Sequence, residues 1–416
     1  MQRVRLALPH LRAAGWEPTV LAVAPESVEG GVREPRLEAT YPADIRVVRV
    51  RGVPPAWTRR LGFGALWLRC GRAIARAGAQ LLRAERFDLV FFSTTQFDAF
   101  RLGPAWRDRF GVPFVVDYQD PWVNRYYART GTRPPGGWLK YSLGQYRARR
   151  AEPAVLRAAA GVIAVSPAYG PMLAAAHPWF DPARVEVMPF GAAEADFAAI
   201  ADYRPAAPVV EFEPGRFHHV YTGRCGPDMA LALTIVFRAF KRHLAQQPAD
   251  AERMRFHFIG TGYAPPPLGA DVVRPIAQAE GVADFVTEHR YRVPYFDALY
   301  YLRRADALVA VGSDDPTYSA SKIFPYVLAR RPLLLVFHRD SLVLQFADRV
   351  DAGQRFRFAG PNDLEPLVAA VQREWFADAA RRRDVSFDAA AFAPFSAAAM
   401  TARLAAIFDR ATAARP

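Results

Sequence analysis

The chain has 416 residues, of which 51% are hydrophobic and 23% charged, a composition typical of soluble globular proteins with more than one core. It contains no apolar run near eighteen residues and no signal-peptide core at its N-terminus, so we expect a cytoplasmic protein. The two cysteines are far apart and suggest neither a disulfide framework nor a metal site. Arginine greatly outnumbers lysine, which indicates a GC-rich bacterial genome.

The positive charge is concentrated in the first half of the chain. Residues 1–195 hold 27 basic and 16 acidic side chains, whereas the remaining residues hold 27 and 25. A basic first half suits an anionic membrane surface or a phosphate-bearing partner, and a solvated arginine face is the alternative interpretation. Nucleic acid is not expected as a partner, because the sequence has no zinc pattern, aromatic RNA-binding signature or clear helix-turn-helix.

Strands and helices alternate along the first 198 residues. We predict helices at 4–14, 61–83 and 151–160, and strands at 18–23, 46–50, 87–93, 112–117, 161–165 and 185–188. A basic, aromatic segment at 125–150 is interrupted by a predicted loop at 134–137. Repeated alternation of this kind indicates a doubly wound parallel sheet.

The second half repeats this pattern after an Ala/Pro-rich linker predicted at 199–214. We predict strands at 217–222, 256–259, 285–287, 307–311 and 333–337, and helices at 231–244, 271–280, 295–305 and from residue 321. A final helix within 395–416 carries Met400, Leu404 and Ile407 on one face, and we expect it to pack on the first domain. The sequence thus predicts an α/β protein with Rossmann-like domains at 1–198 and 215–394, facing a cleft.

A hydroxyl-rich loop leads from the strand 307–311 into the helix that begins near residue 321. The carboxyl end of a parallel strand is where open α/β sheets bind anions and nucleotides. Ser321 and Lys322 lie at the start of this helix, where a lysine opposes the helix dipole unless a phosphate is bound. A core helix with a solvated lysine is the alternative.

The loop after the strand 217–222 contains Gly223, Arg224 and Gly226. The two glycines allow backbone amides to turn toward an anion, and the guanidinium of Arg224 is suited to a diphosphate. A plain strand-to-helix turn with a surface arginine is the alternative. No set of side chains has the spacing of metal ligands, so we predict no metal site.

Two other loops carry candidate side chains. Asp117 and Asp120 close the strand 112–117, and a carboxylate facing the cleft could act as base toward an acceptor hydroxyl. Asp120 could instead cap a turn, since Pro121 follows it. After the strand 285–287, Tyr291 and Arg292 could line a base pocket or simply precede a helix.

These segments, in this order, resemble the family 4 glycosyltransferases of GT-B fold. The most specific likeness is the stretch from Ser321 to Tyr326 with Arg331 and Pro332 following, and the next is the stretch from Val293 to Leu299. The other matching segments are 87–94, 112–122, 161–166, 185–197, 221–226 and 256–262. Together they span nearly the whole chain at spacings similar to those of the family.

The resemblance implies a nucleotide-diphosphate sugar donor held by the second domain and an acceptor held by the first. It implies transfer with retention of anomeric configuration and without a metal or other cofactor. Arg224 and Lys322 would hold the donor diphosphate, and Ser321 would donate to it. Arg292 and its neighbours would meet the base, and Asp120 would lie beside the acceptor and the sugar.

The leading hypothesis is a sugar transferase of envelope polysaccharide or glycolipid assembly. Its acceptor would be a glycan or a lipid-linked molecule, reached at the inner face of the cell membrane. A nucleotide-sugar-binding or partner-binding scaffold without turnover is the second hypothesis, and a nucleotide-sugar epimerase of the same fold is the third.

The sequence departs from the family pattern at several positions. Pro325 occupies the place of a ribose-binding Glu, Thr317 that of its acidic partner, and Met229 is near the place of a second basic residue. The family's first strand and Gly-rich loop would precede the helix at 4–14, so we expect Met1 to be an internal start and that strand to be missing.

Overall fold

The computed structural model describes residues 2–28, 34–54, 58, 65–124, 127–128, 131, 133–134, 136–264, 266–315, 322–380, 382 and 385–413. The chain divides into two compact units, one formed by residues 1–191 with 397–416 and the other by residues 192–396. Among the described residues, no helix is both long and apolar enough to cross a membrane.

Parallel strands and their flanking helices build the first unit. Its strands are β1 (Thr19–Val23), β2 (Arg46–Val50), β3 (Val90–Ser93), β4 (Phe114–Tyr118), β5 (Gly161–Ala164) and β6 (Val185–Val187). Its helices are α1 (Gln2–Leu11), α2 (Pro35–Glu38), α3 (Leu66–Ala84), α4 (Leu102–Phe110), α5 (Trp138–Ala158), α6 (Tyr169–Ala176) and, at the end of the chain, α16 (Ala397–Ala413).

The strands of the first unit pair in two parallel sheets, β1-β2 and β3-β4-β5-β6. Every residue of β4 is buried, the pattern of a strand covered on both faces. The helix α16 packs against α1, and the ring of Phe408 contacts those of Trp16 and Phe91 at 5.2 and 5.1 Å. The predicted apolar face of α16 is buried, which confirms its orientation toward a core.

The second unit is a six-stranded parallel sheet with helices. Its strands are β7 (Phe217–Thr222), β8 (Met254–Ile259), β9 (Val286–His289), β10 (Ala307–Val311), β11 (Leu333–His338) and β12 (Gln354–Phe358). Its helices are α7 (Glu194–Ala199), α8 (Ala230–Gln246), α9 (Pro248–Ala251), α10 (Val273–Glu280), α11 (Tyr295–Arg304), α12 (Ile323–Leu328), α13 (Leu342–Arg349), α14 (Leu364–Val371) and α15 (Ala389–Phe392).

The strand order of this sheet is β12-β11-β10-β7-β8-β9, and all pairs are parallel. From β7 the chain winds outward through β8 to β9, and it then returns to the other side of β7 as β10. The order therefore reverses between β7 and β10, the switch point at which doubly wound sheets bind ligands. The predicted α/β class with parallel sheets in two domains is confirmed.

Several details differ from the sequence predictions, and one of them is the helix predicted at 151–160, which spans Trp138–Ala158. The units divide between Gly191 and Ala192, whereas the predicted boundary lay at residue 198. The predicted linker packs within the second unit, where Ile200 and Val210 are buried and the N–H of Val209 donates to Tyr301 Oη at 2.7 Å. The strand β12 and the helices α2, α6, α7, α9, α13, α14 and α15 were not predicted. Residues 61–64 of the predicted helix 61–83 lie outside the described residues.

Candidate active site

The loops that follow β7 and β10 meet at the switch point of the second unit. The two strands are hydrogen-bonded neighbours, so their carboxyl ends lie side by side. The N–H of Asp314, in the loop after β10, donates to the carbonyl oxygen of Asp228, in the loop after β7, at 2.8 Å. This contact fixes the two loops against each other at the edge where a ligand is expected.

Tyr326 fixes the helix α12 to the end of β7. Its hydroxyl accepts from the N–H of Thr222 at 2.7 Å and donates to the carbonyl oxygen of the same residue at 3.0 Å. Lys322 directly precedes this helix, and its Nζ lies 4.0 Å from the centre of the Tyr221 ring and donates to the Tyr221 hydroxyl. The sequence placed Lys322 in the first helical turn, whereas the helix begins at Ile323.

The ammonium of Lys322 lies in a surplus of positive charge. Among the described residues, no carboxylate lies within 4.0 Å of Nζ. Desolvation of the ammonium is the main cause that lowers the pKa of Lys322 to about 7, and the charges of Arg224 and Arg292 lower it further. An anion that binds beside this lysine would stabilise its protonated form.

Gly223 makes room for Lys322 rather than presenting an amide to an anion. Its φ is 130°, a value that side chains rarely adopt, and a Cβ atom there would lie 3.1 Å from Cδ of Lys322. Its N–H donates to the carbonyl oxygen of Ile259 at 2.9 Å. The N–H of Gly223 itself is therefore engaged by the neighbouring strand, and the predicted role of Gly223 in donor binding stays a prediction.

Arg224 is held by an acidic residue of its own loop. Its two terminal nitrogens bond the two carboxylate oxygens of Asp228, with Nη1 to Oδ2 at 3.0 Å. A Cβ at Gly226 would lie 2.3 Å from Asp228 Oδ1, so glycine leaves space for this pair. Both side chains remain partly exposed, at 30% and 27%, so the guanidinium keeps an accessible edge.

The loops after β8 and β9 contribute an aromatic and basic wall. The guanidinium of Arg292 lies 4.3 Å from the centre of the exposed Tyr263 ring, and that of Arg290 lies 5.3 Å from the Tyr291 ring. The N–H of Gly262 donates to the carbonyl oxygen of Arg290 at 2.8 Å and joins the loops. The charge of Arg292 also lowers the pKa of Lys322.

Two positions singled out in the sequence, Ser321 and Thr317, lie outside the described residues. Pro325 lies in the first turn of α12, where a proline is tolerated because its missing N–H has no helical partner there. Within the described part of the chain, no group of three or more His, Cys, Asp or Glu side chains is placed to hold a metal ion.

Asp117, in the first unit, belongs to a buried network. Its side chain is fully buried, and one oxygen, Oδ2, accepts from Arg3 Nε at 2.7 Å, Ser93 Oγ at 2.8 Å and Gln119 Nε2 at 2.9 Å. Arg3 also donates to the carbonyl oxygens of Met188 and Pro189. The expectation that Asp117 is accessible to a substrate is wrong, because the strand end that carries it is covered by α1.

Asp120, two residues beyond β4, remains exposed. Partial desolvation raises the pKa of its carboxyl group. Burial, followed by the charge of Asp120, raises the pKa of Tyr169 to about 12. Asp120 is therefore the candidate acidic group that a substrate of the first unit could reach.

Sequence reasoning missed the side chains that hold these residues in place. Tyr326 belonged to the most specific stretch, but its role depends on a backbone contact 104 residues away. Asp228 stands four residues after Arg224, a spacing that could have suggested the ion pair. Arg3 gave no signal, since its partner Asp117 is 114 residues distant.

Residues 2–191 match the model of the glycosyl transferase 4-like domain. HepE of Anabaena, in complex with UDP, is 14% identical with a TM-score of 0.56, over 94% of this chain and 99% of HepE. A glycosyltransferase of Rickettsia africae ESF-5 is 12% identical with a TM-score of 0.57, over 99% and 94%. The first unit therefore contains a glycosyl transferase 4-like domain.

The UDP-forming α,α-trehalose-phosphate synthase of Burkholderia xenovorans also shares this fold. It is 14% identical with a TM-score of 0.51, over 85% of this chain and 78% of the synthase. At these identities the three structures show the fold alone, which is the GT-B fold that the resemblance predicted. The match of residues 2–191 to the glycosyl transferase 4-like domain agrees with the resemblance. No curated protein matches the sequence significantly.

Proposed function

We propose that the chain is a glycosyltransferase that takes a sugar from a nucleotide-diphosphate sugar, with UDP as the first nucleotide to test. The observation that carries this proposal is Lys322, whose ammonium lies against Tyr221 with two guanidinium groups near it and has a pKa lowered to about 7. A diphosphate would supply negative charge beside Lys322, because the nearby carboxylate of Asp228 is already paired with Arg224. HepE, a structure of the same fold, was solved with UDP-glucose, and this supports UDP as the choice.

In this proposal Lys322 and Arg224 hold the diphosphate, and Arg292 with Tyr291 lies toward the nucleoside. Asp120 lies beside the acceptor hydroxyl and the sugar, where its raised pKa suits proton exchange. Ser321 keeps its proposed contact to the diphosphate. Transfer is proposed to need no metal and to retain the anomeric configuration.

UDP titration by calorimetry tests the donor site. Lys322→Met and Arg224→Met should each weaken UDP binding about ten- to a hundredfold, the effect of losing a charge-assisted contact. Lys241→Met is the matched control, because Lys241 is an exposed lysine on α8 of the same unit. UDP affinity that is equal in all three variants and the native chain would refute the phosphate assignment.

The acceptor side is tested separately. Asp120→Asn should abolish transfer to an acceptor while UDP binding stays unchanged. We propose a glycan or lipid-linked acceptor of envelope polysaccharide or glycolipid synthesis, reached at the inner face of the cell membrane, because the basic excess lies in residues 1–195. Transfer assays on water-soluble and lipid-linked acceptors, with and without EDTA, distinguish the acceptor class and test the metal independence.

A further inference from the structure

The first half of α5 lies on the surface of the first unit without packing into its core. Its buried residues are Ala148, Glu152, Val155 and Leu156, all in the second half of the helix. None of residues 138–147 is buried. An ordinary surface helix buries one stripe along its whole length, so this exposed half is unusual.

A stripe of large apolar side chains runs along this exposed half. Leu139 is 87% exposed, Leu143 58% and Tyr146 57%. Positions 139, 143 and 146 are spaced by four and three residues, so at 100° per residue they fall within an arc of about 60°. Single exposed apolar residues are common on proteins, but three on one helical line form a continuous surface.

Basic side chains flank this apolar stripe on both sides. Lys140 and Arg147 lie about 70–90° to one side of its centre, and Arg149 lies about 90° to the other. Residues 138–150 include no acidic side chain. At the end of the stripe the Arg150 guanidinium covers the Tyr146 ring at 5.7 Å, and Nη1 donates to the tyrosine hydroxyl at 2.8 Å.

We propose that the first half of α5 docks in the plane of an anionic membrane surface. Leu139 and Leu143 enter the boundary between headgroups and acyl chains, and the flanking Lys140, Arg147 and Arg149 contact lipid phosphates. An apolar stripe with basic residues at both borders is the pattern of a helix lying in the membrane interface. A second copy of the chain fits less well, because pairing the two stripes would bring like charges together.

The second half of α5 connects this docking surface to the candidate acceptor side. Val155 and Leu156 pack in the core beneath β4, and Glu152 accepts from the Tyr118 hydroxyl at 3.3 Å. Tyr118 ends β4, two residues before Asp120. Docking through α5 therefore sets the height of Asp120 above the membrane, which suits a lipid-linked acceptor. The inference rests on the proposed membrane location and not on the donor assignment.

Vesicle flotation tests the docking surface with the full-length chain. The native protein should float with phosphatidylcholine vesicles that contain phosphatidylglycerol, and only weakly with phosphatidylcholine alone. Leu139→Asp combined with Leu143→Asp should lower the partition coefficient at least about tenfold, given the apolar area removed. Leu268→Asp is the matched control, since Leu268 is a 63% exposed leucine of the second unit, and it should float like the native chain.

A charge variant, Lys140→Gln with Arg147→Gln and Arg149→Gln, should lose the preference for anionic vesicles. Flotation of the double leucine variant equal to that of the native chain would overturn the proposal, as would equal binding of the native chain to both vesicles. Concentration-dependent dimerisation that the leucine substitutions abolish, without vesicle binding, would assign the surface to a second copy instead. UDP binding of the native chain is measured in parallel. If the native chain floats with anionic vesicles but does not bind UDP, only the donor proposal is refuted.

Discussion

The lowered pKa of Lys322 predicts that UDP binding takes up a proton at alkaline pH. In the free protein, desolvation and the charges of Arg224 and Arg292 lower that pKa to about 7. A bound diphosphate favours the charged form and raises the pKa again. Because the complex holds the proton more tightly than the free protein, UDP affinity should fall as the pH rises above about 7, until the pKa of the complex is reached.

The size of the effect follows from the same pKa. At pH 8, one unit above it, about 90% of the free protein carries a neutral Lys322, so binding should take up about 0.9 proton. The affinity should then fall close to tenfold for each further pH unit, about 1.4 kcal/mol. UDP itself ionises near pH 6, which adds little proton exchange at pH 8.

Calorimetry at pH 8 in buffers of different protonation enthalpy measures this proton uptake directly. The native chain and the control Lys241→Met should both take up close to one proton. Lys322→Met should take up almost none, although it still binds UDP weakly through Arg224. Equal proton uptake by the native chain and by Lys322→Met would refute the reasoning, because the proton would then come from another group.

Three further predictions concern groups that hold the two units in shape. Arg3→Met leaves the buried Asp117 without its cation and should lower the free energy of unfolding, measured by urea titration, by about 3–5 kcal/mol. The double variant Arg3→Met with Asp117→Asn should recover part of this loss. Asp228→Asn removes the carboxylate that neutralises Arg224 and should tighten UDP binding about two- to fivefold by calorimetry; weaker binding would show that Asp228 instead orients the arginine. Burial lowers the pKa of His257 to about 4, below the ordinary 6.5, so the folded state resists protonation and the free energy of unfolding should fall as the pH drops from 6.5 toward 4. Between pH 7 and 5 this decline should be smaller in His257→Gln than in the native chain. An equal decline in the two proteins would contradict the assignment.

The sheets could be predicted because strands of parallel sheets are buried on both faces and read as apolar runs. Ala307–Val311 is such a run, and every residue of it is buried. The edge strand β12 was missed although Gln354–Phe358 alternates polar and apolar residues, the pattern of a strand with one exposed face. The continuous apolar run was recognised, whereas this alternating signal of the same length was not.

Residue types and the positions of the strand ends predicted which loops form the candidate site, but not the partners of the side chains and amides in it. The glycine at position 223 was expected from the turn, and its positive φ confirms that a glycine is needed. The partner of its N–H is Ile259 on the neighbouring strand, and sheet neighbours cannot be read from local sequence. Asp117 was misplaced for the same reason, since the arginine that covers it comes from α1.

The departures from the family pattern bear on the balance of charge in the donor site. Met229 stands near the place of a second basic residue, and Asp228 beside it pairs with Arg224, so this loop brings less positive charge than the resemblance implies. The remaining charge comes from Lys322 and Arg292, and near pH 7 the lysine is only half protonated in the free protein. If the site holds a diphosphate, its affinity should therefore depend on pH more steeply than a site built from permanently charged arginines.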